Sequence, residues 1–251
     1  MIQTSAICLK QRPIGKTSAV LSFLCERLGP VSVYERGFQN ASSKIKPLFD
    51  LGQEVCLALT VKEERYYLSE MILKQGFDLT DYRILVFSSF LFELLCSWQD
   101  NPPTRPEQLY QELIKCLHDF SEKKKIFGSF LCFQIRLLEA YGLAGSLKQC
   151  GECSQRFPEH ELCRSEENTW NFLCSSCHHK TGRKKSILEL SPEERHALSH
   201  YLQDRNRHSV LSGDFPVKIQ THLMRIYEEW GTFKSGAEIM RLIQSGKPEA
   251  L

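Results

Sequence analysis

Two pairs of closely spaced cysteines are the clearest chemical signal in the sequence. Cys150 and Cys153 form one Cys-x2-Cys pair, Cys174 and Cys177 form a second, and twenty residues separate the pairs. Each pair places two thiolates in one tight turn, and two such turns make the tetrahedral all-sulfur site that structural Zn²⁺ prefers. The spacing therefore predicts one zinc ion per chain, held by these four cysteines.

This zinc ion is expected to be structural and not catalytic. Four cysteine ligands leave no open position for the water that a catalytic zinc ion activates. Neither pair follows a proline, so the zinc-deaminase pattern is missing as well. His160, His178 and His179 lie nearby in the sequence, but the four cysteines already complete the coordination shell.

Motifs of nucleotide-dependent and hydrolytic enzymes are missing from the sequence. It contains no G-x-G-x-x-G, H-E-x-x-H or G-x-S-x-G segment. Gly15-Lys16-Thr17 is similar to the end of a phosphate-binding loop, but Lys10 stands where that loop needs its first glycine. No motif therefore supports an enzyme, and we expect none, although a catalytic triad that only the fold brings together would leave no such motif.

Positive charge is concentrated in the first 46 residues. This segment holds seven Lys and Arg residues against two Glu, although the whole chain has a net charge of only +2. A basic segment with aromatic neighbours, here Tyr34 and Phe38, suits a groove for a nucleic-acid backbone. The cations expected in turns or at strand ends, and hence predicted to bind DNA, are Arg12, Lys16, Arg36, Lys44 and Lys46.

Two other interpretations of the basic residues stay open. The N-terminal cations are also compatible with a solvated surface that contains few acidic residues and binds nothing. A second basic cluster follows the last cysteine pair, and it is either a nucleic-acid contact or a solvated linker. Its members are Lys180, Arg183, Lys184 and Lys185.

Composition is that of an ordinary globular chain, with 42% hydrophobic and 25% charged residues among 251. Eleven cysteines are an odd number, and most of the unpaired ones lie among apolar residues. A reducing, cytoplasmic compartment is therefore expected. The longest uncharged apolar stretch, 126–135, is far shorter than the roughly 18 residues of a membrane span. The N terminus is too polar for a secretory signal.

Five short β-rich segments occupy the first 75 residues. They are separated by turn residues and favour a small barrel or sandwich over a parallel sheet. A polar, basic stretch at 38–51 is either a long connection or one that carries a short helix. The predicted strands cover residues 2–10, 17–25, 30–36, 54–61 and 65–73.

From Thr80 onward, apolar residues recur at helical spacing. Capping boxes are predicted at Thr104 with Glu107 and at Ser191 with Glu194, each followed by a helix. Further helices are predicted over 80–98, 123–141, 217–230 and 237–245. The fold class is therefore α+β. An N-terminal five-stranded OB-like β-barrel (1–78) precedes an all-helical domain (79–251) with an inserted four-cysteine zinc module (148–183).

The order of these parts resembles the bacterial recombination-mediator family RecO. Segments similar to that family are Ala6–Lys10 with Gly15, Leu28–Val33 with Arg36-Gly37, Ser43-Lys44, Phe133–Leu138 with Tyr141-Gly142, Leu147–Cys153 and Phe233–Ser235.

The sequence also departs from that family at three places. Phe38–Asn40 replace a basic cluster, Lys16 stands where an acid is usual, and Gly145 stands where proline is preferred. The first departure leaves the DNA-contacting residues open, with Lys44 and Lys46 taking over part of that role.

The resemblance implies a DNA-repair protein that is not an enzyme. Such a protein binds single- and double-stranded DNA and anneals complementary strands. Together with RecR it helps to load RecA onto strands covered by single-strand-binding protein, in the cytoplasm at the nucleoid. Two other classes stay open: an enzyme with a structural zinc ribbon, such as an NAD-dependent deacylase, and a zinc-bearing RNA-binding module. The missing Rossmann glycine fingerprint counts against the first.

Overall fold

A computed structural model describes residues 1–99, 101–165, 168–180, 188–203, 214–229, 231 and 233–245. The chain divides into two compact units, Met1–Lys124 and Lys125–Leu251. The first unit contains a β-barrel and two helices, and the second contains the remaining helices and the four cysteines. The predicted α+β class is confirmed.

Five strands at the start of the first unit close into a barrel. They are β1 (Ile2–Ile14), β2 (Ser18–Cys25), β3 (Gly29–Glu35), β4 (Glu54–Lys62) and β5 (Arg65–Gln75). Their order around the barrel is β1-β2-β3-β5-β4, and β4 pairs back with β1. Only β3 and β5 run parallel, and they are joined at Val33 and Tyr66. The predicted OB-like barrel is confirmed, and each strand begins within one residue of its predicted start.

Alternation of apolar side chains explains why the barrel closes. Leu21 and Phe23 on β2, Val33 on β3 and Leu59 on β4 point into a common core and are fully buried. Every second residue along these strands faces inward, so closing the sheet buries one whole face and leaves no unpaired edge.

The connection between β3 and β4 contributes to the barrel core. It carries a short 3-10 helix, Lys46–Leu48. Phe49 packs edge-on against both Phe23 and Phe38, with ring centroids 5.5 and 6.0 Å apart. Phe38 is fully buried, so its expected place beside a nucleic-acid groove is wrong. An apolar ring in this connection gains more from the core than from solvent.

Two helices complete the first unit, α1 (Tyr82–Ser97) and α2 (Pro106–Ser121). Asp81 caps α1 by accepting from the backbone N–H groups of Arg83 and Ile84. The helix α2 begins at Pro106 after an Arg105 N-cap that makes no side-chain capping bond. The predicted capping box at Thr104 and Glu107 stays a prediction. Proline at the first helical position has its φ preset and no N–H to satisfy, which favours a helix start at Pro106.

Both helices pack on the outside of the barrel. The hydroxyl of Tyr110 on α2 donates to Glu54 Oε1 at 2.7 Å, and Lys74 Nζ reaches the same oxygen at 2.5 Å. Just beyond α1, Gln99 Oε1 accepts from Ser32 Oγ at 2.6 Å. The first compact unit thus includes α1 and α2 with the strands, and the domain boundary at 78/79 stays a prediction.

The second unit is helical around a small three-stranded sheet. Its elements are α3 (Ile126–Ala140), β6 (Cys163–Ser165), β7 (Phe172–Leu173), α4 (Ser175–Lys180), β8 (Leu188–Leu190), α5 (Pro192–Gln203), α6 (Phe215–Glu228) and α7 (Gly236–Ser245). The sheet order is β7-β6-β8. Buried Gln134 of α3 and Gln220 of α6 exchange amide hydrogen bonds at 2.8 and 3.2 Å. No helix among the described residues is long and apolar enough to cross a membrane.

The start of α5 confirms the second predicted capping box. The backbone N–H of Glu194 donates to Ser191 Oγ at 3.1 Å, and that of Ser191 donates to Glu194 Oε2 at 2.8 Å. The backbone N–H groups of Ser191 and Glu194, which have no partner within the helix, are therefore satisfied by each other's side chains.

Candidate metal centre and nucleic-acid surface

The four cysteines of the two pairs converge on one point. Sulfur atoms of Cys150, Cys153, Cys174 and Cys177 all lie within 4.8 Å of one another, and those of Cys153 and Cys174 are 4.0 Å apart. Four sulfurs at 2.3 Å from one zinc ion lie about 3.8 Å apart in a tetrahedron. The cluster is therefore close to the size that a four-coordinate metal ion requires.

Backbone N–H groups prepare these sulfurs to carry negative charge. The N–H of Cys174 points at Cys150 Sγ, and the N–H of Cys177 points at Cys174 Sγ, each at 3.4 Å. Burial raises the pKa of Cys150, but backbone N–H groups of Cys153, Cys174 and Glu152 lower it to about 7. These backbone N–H groups thus favour the thiolate form of Cys150.

Crowding of the sulfurs has the opposite effect on Cys177. The pKa of Cys177 is raised to about 12, first by a hydrogen bond with Cys174, then by desolvation on burial, and also by repulsion from the charge of Cys150. A divalent cation at the centre removes that repulsion and stabilises all four thiolates. The donor set and its electrostatics fit a structural metal ion.

Short backbone ladders hold each cysteine turn in place. In the first turn, Cys150 N–H donates to Gln155 at 2.8 Å and Ser154 N–H donates back to Cys150 at 2.9 Å. A further bond joins the turn to β7, from Gly151 N–H to the Phe172 carbonyl at 2.9 Å. The first cysteine turn is therefore fixed to the strand that leads into the second.

Two buried side chains tie this metal module to neighbouring helices of its unit. His222 on α6 places Nε2 2.9 Å from both Ser165 Oγ and the Thr169 carbonyl. Arg195 on α5 donates to the Pro158 carbonyl at 3.1 Å and lies 5.0 Å from the Phe157 ring centroid. The module is thus packed into the helical unit, so loss of the metal would also affect α5 and α6.

Gly151 leaves room for a neighbouring side chain, and this gives a first prediction. A Cβ at Gly151 would overlap the side-chain amide of Asn171. We expect Gly151→Ala to destabilise the module by about 1–3 kcal/mol and to weaken metal retention in a chelator competition. Adding Asn171→Ala removes the overlap and should recover most of the lost stability and metal retention.

The matched control for this prediction is Gly76→Ala, because a Cβ there meets nothing within 4 Å. Wild-type metal retention in the Gly151→Ala variant would contradict the proposed packing of Asn171.

Strand pairing places one predicted DNA-binding residue, Arg12, in the same row as Tyr34, and a second, Arg36, follows at the end of β3. Arg12 on β1 pairs with Val20, and Val20 pairs with Tyr34 on β3. Arg36 follows Tyr34 by two residues, immediately after β3 ends. Lys16 lies in the β1–β2 turn, at the same end of the barrel as Arg36, because Ala19 pairs with Glu35.

Lys44 and Lys46 lie apart from these strands. Both are exposed on the connection between β3 and β4, where Lys46 opens the 3-10 helix. All five predicted cations are exposed, and within the described residues none of them forms an ion pair.

Sequence reasoning missed the contribution of the β4–β5 hairpin. Lys62 pairs with Arg65 at its end, and both side chains are exposed. Two glutamates, Glu63 and Glu64, form the turn itself with positive φ angles of 47° and 61°. The hairpin therefore offers two cations beside β3 and two acids at its tip. The second basic cluster cannot be placed in this way, since Arg183, Lys184 and Lys185 lie outside the described residues.

Comparison with known families bears on the helical part of the chain. A family model described as "Recombination protein O C terminal" matches residues 79–229, which is more than half of the chain. The chain belongs to the RecO family. The family comprises mediators of DNA recombination and repair and is not known for enzymatic activity. A search among curated proteins gave no match.

The matched range divides the two candidate sites. All four cysteines of the metal cluster lie within the residues matched to RecO, whereas the strands β1 to β5 precede them. Membership of the RecO family therefore rests on the helical part of the chain. Support for a role of the barrel comes from the charge and exposure of its own surface residues.

Proposed function

We propose that this RecO protein binds single- and double-stranded DNA through its N-terminal barrel and anneals complementary strands. In this role it acts with RecR to load RecA onto strands covered by single-strand-binding protein. Such work takes place in the cytoplasm, at the nucleoid. The proposal joins the family's role in recombination and repair to the surface of the barrel.

The observation that carries the proposal is the charge on the outside of the barrel. Arg12 lies in the same strand row as Tyr34, and Arg36 follows Tyr34 by two residues. Neither arginine is engaged in an ion pair within the described residues. Unpaired, exposed cations are free to replace the counterions condensed on a phosphate backbone. OB-type barrels bind oligonucleotides on the face of strands 2 and 3 and on the adjoining loops.

A structural role for zinc completes the proposal. Cys150, Cys153, Cys174 and Cys177 would hold one ion, which when bound neutralises the thiolates and cross-links the two cysteine turns. Since all four positions are filled by sulfur, the ion has no place for a reacting water. Annealing then depends on charge neutralisation and base pairing, neither of which consumes ATP.

A competition binding assay tests the proposed function. Single-stranded DNA, duplex DNA and RNA of matched length and sequence compete for the protein at two salt concentrations. We expect both DNA forms to bind and their affinity to fall as salt rises. Preferential binding of RNA would favour an RNA-binding module, and salt-independent or undetectable DNA binding would overturn the proposal.

A further inference from the structure

We propose that Tyr34 and Tyr67 together form a stacking platform for unpaired bases on the outer face of the barrel. This inference rests on the proposed function and adds to it the residues that distinguish single strands from duplexes. The two tyrosines are 33 positions apart in the sequence, and only the parallel pairing of β3 with β5 makes them neighbours.

Strand register places the two tyrosines side by side. Val33 and Tyr66 are partners across the parallel pair, so the next residues, Tyr34 and Tyr67, are adjacent and share a face. Neighbouring strands lie about 4.8 Å apart. Antiparallel pairing extends the row in both directions, to Val20 on one side and Thr60 on the other.

Both tyrosines point away from the barrel core. Val33 is fully buried in the core, and Tyr66 packs against the same core. Because side chains alternate along a strand, Tyr34 and Tyr67 face outward, and both are half-buried with part of each side chain open to solvent. Neither ring stacks on another aromatic ring within the described residues. A tyrosine that lies partly open on a sheet offers a π-face without further rearrangement.

Neighbouring residues define the limits of the platform. The next outward row toward the helices, Lys10–Ser22–Ser32, is partly covered, because Ser32 bonds to Gln99 beyond α1. The platform row itself ends in Arg12. Thus an apolar, aromatic centre is open to solvent and has a cation at its edge.

Cations also lie along the strands that carry the tyrosines. Arg36 follows Tyr34 by two positions and Arg65 precedes Tyr67 by two, so each lies about 7 Å from its tyrosine along the chain. A nucleotide places its phosphate roughly that far from its base. A single strand crossing here would therefore set bases on the rings and phosphates near the arginines.

Stacking explains why such a surface would select single strands. Every base has a π-face, so stacking on tyrosine tolerates any sequence, but bases inside a duplex are already stacked on each other. The arginines attract single-stranded and duplex DNA alike, whereas stacking on the tyrosine rings stabilises only unpaired bases. Tyr34 and Tyr67 would thus supply the preference, and the cations would supply the general affinity.

The test compares two single-stranded probes that carry equal charge. One is a fluorescein-labelled oligo-dT, and the other is an abasic oligonucleotide of the same length. Wild-type protein should bind oligo-dT more tightly. In a Tyr34→Leu/Tyr67→Leu variant, affinity for oligo-dT should fall about tenfold per ring, while affinity for the abasic probe stays within about twofold. A Tyr34→Phe/Tyr67→Phe variant keeps both rings and should keep the preference.

Tyr82→Leu is the matched control, because Tyr82 is 58% exposed but lies on α1 and not on a barrel strand. Photocrosslinking of wild-type protein to an iodouracil oligonucleotide gives a second readout, and this readout does not depend on whether a variant folds. Crosslinks at Tyr34 or Tyr67 would support the platform.

The proposal fails if wild-type protein binds both probes equally, if the Leu double variant keeps its preference, or if crosslinks form only elsewhere. Salt-dependent binding of both probes would in those cases still support the proposed function. Absence of binding to either probe would overturn both.

Discussion

Purified protein should contain one zinc ion per chain, and replacing Cys174 with Ser should remove it. Cys174 is central to the cluster, because its N–H points at Cys150 Sγ and its own sulfur accepts from Cys177 N–H. Structural zinc binding is worth about 10–16 kcal/mol in small peptides, and that free energy is folding free energy. We therefore expect the module to unfold outright, as measured by metal analysis and thermal unfolding.

Unfolding should spread from the module into two helices. His222 of α6 bonds to Ser165 and the Thr169 carbonyl, and Arg195 of α5 bonds to Pro158. Each helix loses a buried partner when the module unfolds, which leaves polar groups unsatisfied. Hydrogen exchange should accordingly rise in α5 and α6, whereas the barrel strands of the first compact unit keep their protection.

Cys56→Ser is the control for the zinc prediction. Cys56 is exposed on β4 in the barrel, so the same chemical change there should leave the zinc content at one per chain. Substantially less than one zinc per wild-type chain, together with alkylation of all four cluster thiols in the native protein, would contradict a structural zinc site.

Local sequence patterns were sufficient to predict the four-cysteine cluster and the strands. Cys150 and Cys153 are constrained by one turn, and Cys174 and Cys177 by another, so spacing alone predicts that each pair converges. The strands are short runs of β-favouring residues bounded by turn residues, which is why their starts were predicted within one residue. Features that depend on four to ten neighbouring residues can be read in this way.

Features set by distant parts of the chain could not be predicted. Tyr67 and Arg65 join the outer face of β3 through one parallel bridge, Val33–Tyr66, and no local pattern shows that pairing. Phe38 is an aromatic residue in a basic segment, which suggested a nucleic-acid groove, but it packs in the core against Phe49. In both cases tertiary packing decides the side chain's surroundings, and propensity carries no information about it.

Salt dependence should show which cations contact the DNA backbone. Each phosphate contact with a single strand contributes about 0.7 log units of affinity per tenfold change in salt. Lys44→Ala/Lys46→Ala should therefore flatten the slope by on the order of one unit. Arg12→Ala/Arg36→Ala should do the same, and each double variant should bind about tenfold more weakly than wild type near 0.1 M salt if the affinities converge near 1 M. Titrations of oligo-dT at four or more salt concentrations measure both quantities.

Comparison of these two variants separates the strand face from the connection. Arg12 lies in the same strand row as Tyr34 and Arg36 follows at the end of β3, whereas Lys44 and Lys46 lie on the segment that carries the 3-10 helix. A flattened slope in only one variant would assign the DNA path to that part of the barrel.

The matched control is Lys115→Ala/Lys124→Ala, which removes the same charge from the first compact unit. Both lysines already form ion pairs, with Glu112 and Glu122, so the slope should not change. Normal binding by both barrel variants, with binding abolished when Arg183, Lys184 and Lys185 are replaced, would contradict the barrel path. DNA would then follow the metal module, and the N-terminal cations would be a solvated face, because a charge that contacts no phosphate releases no counterion.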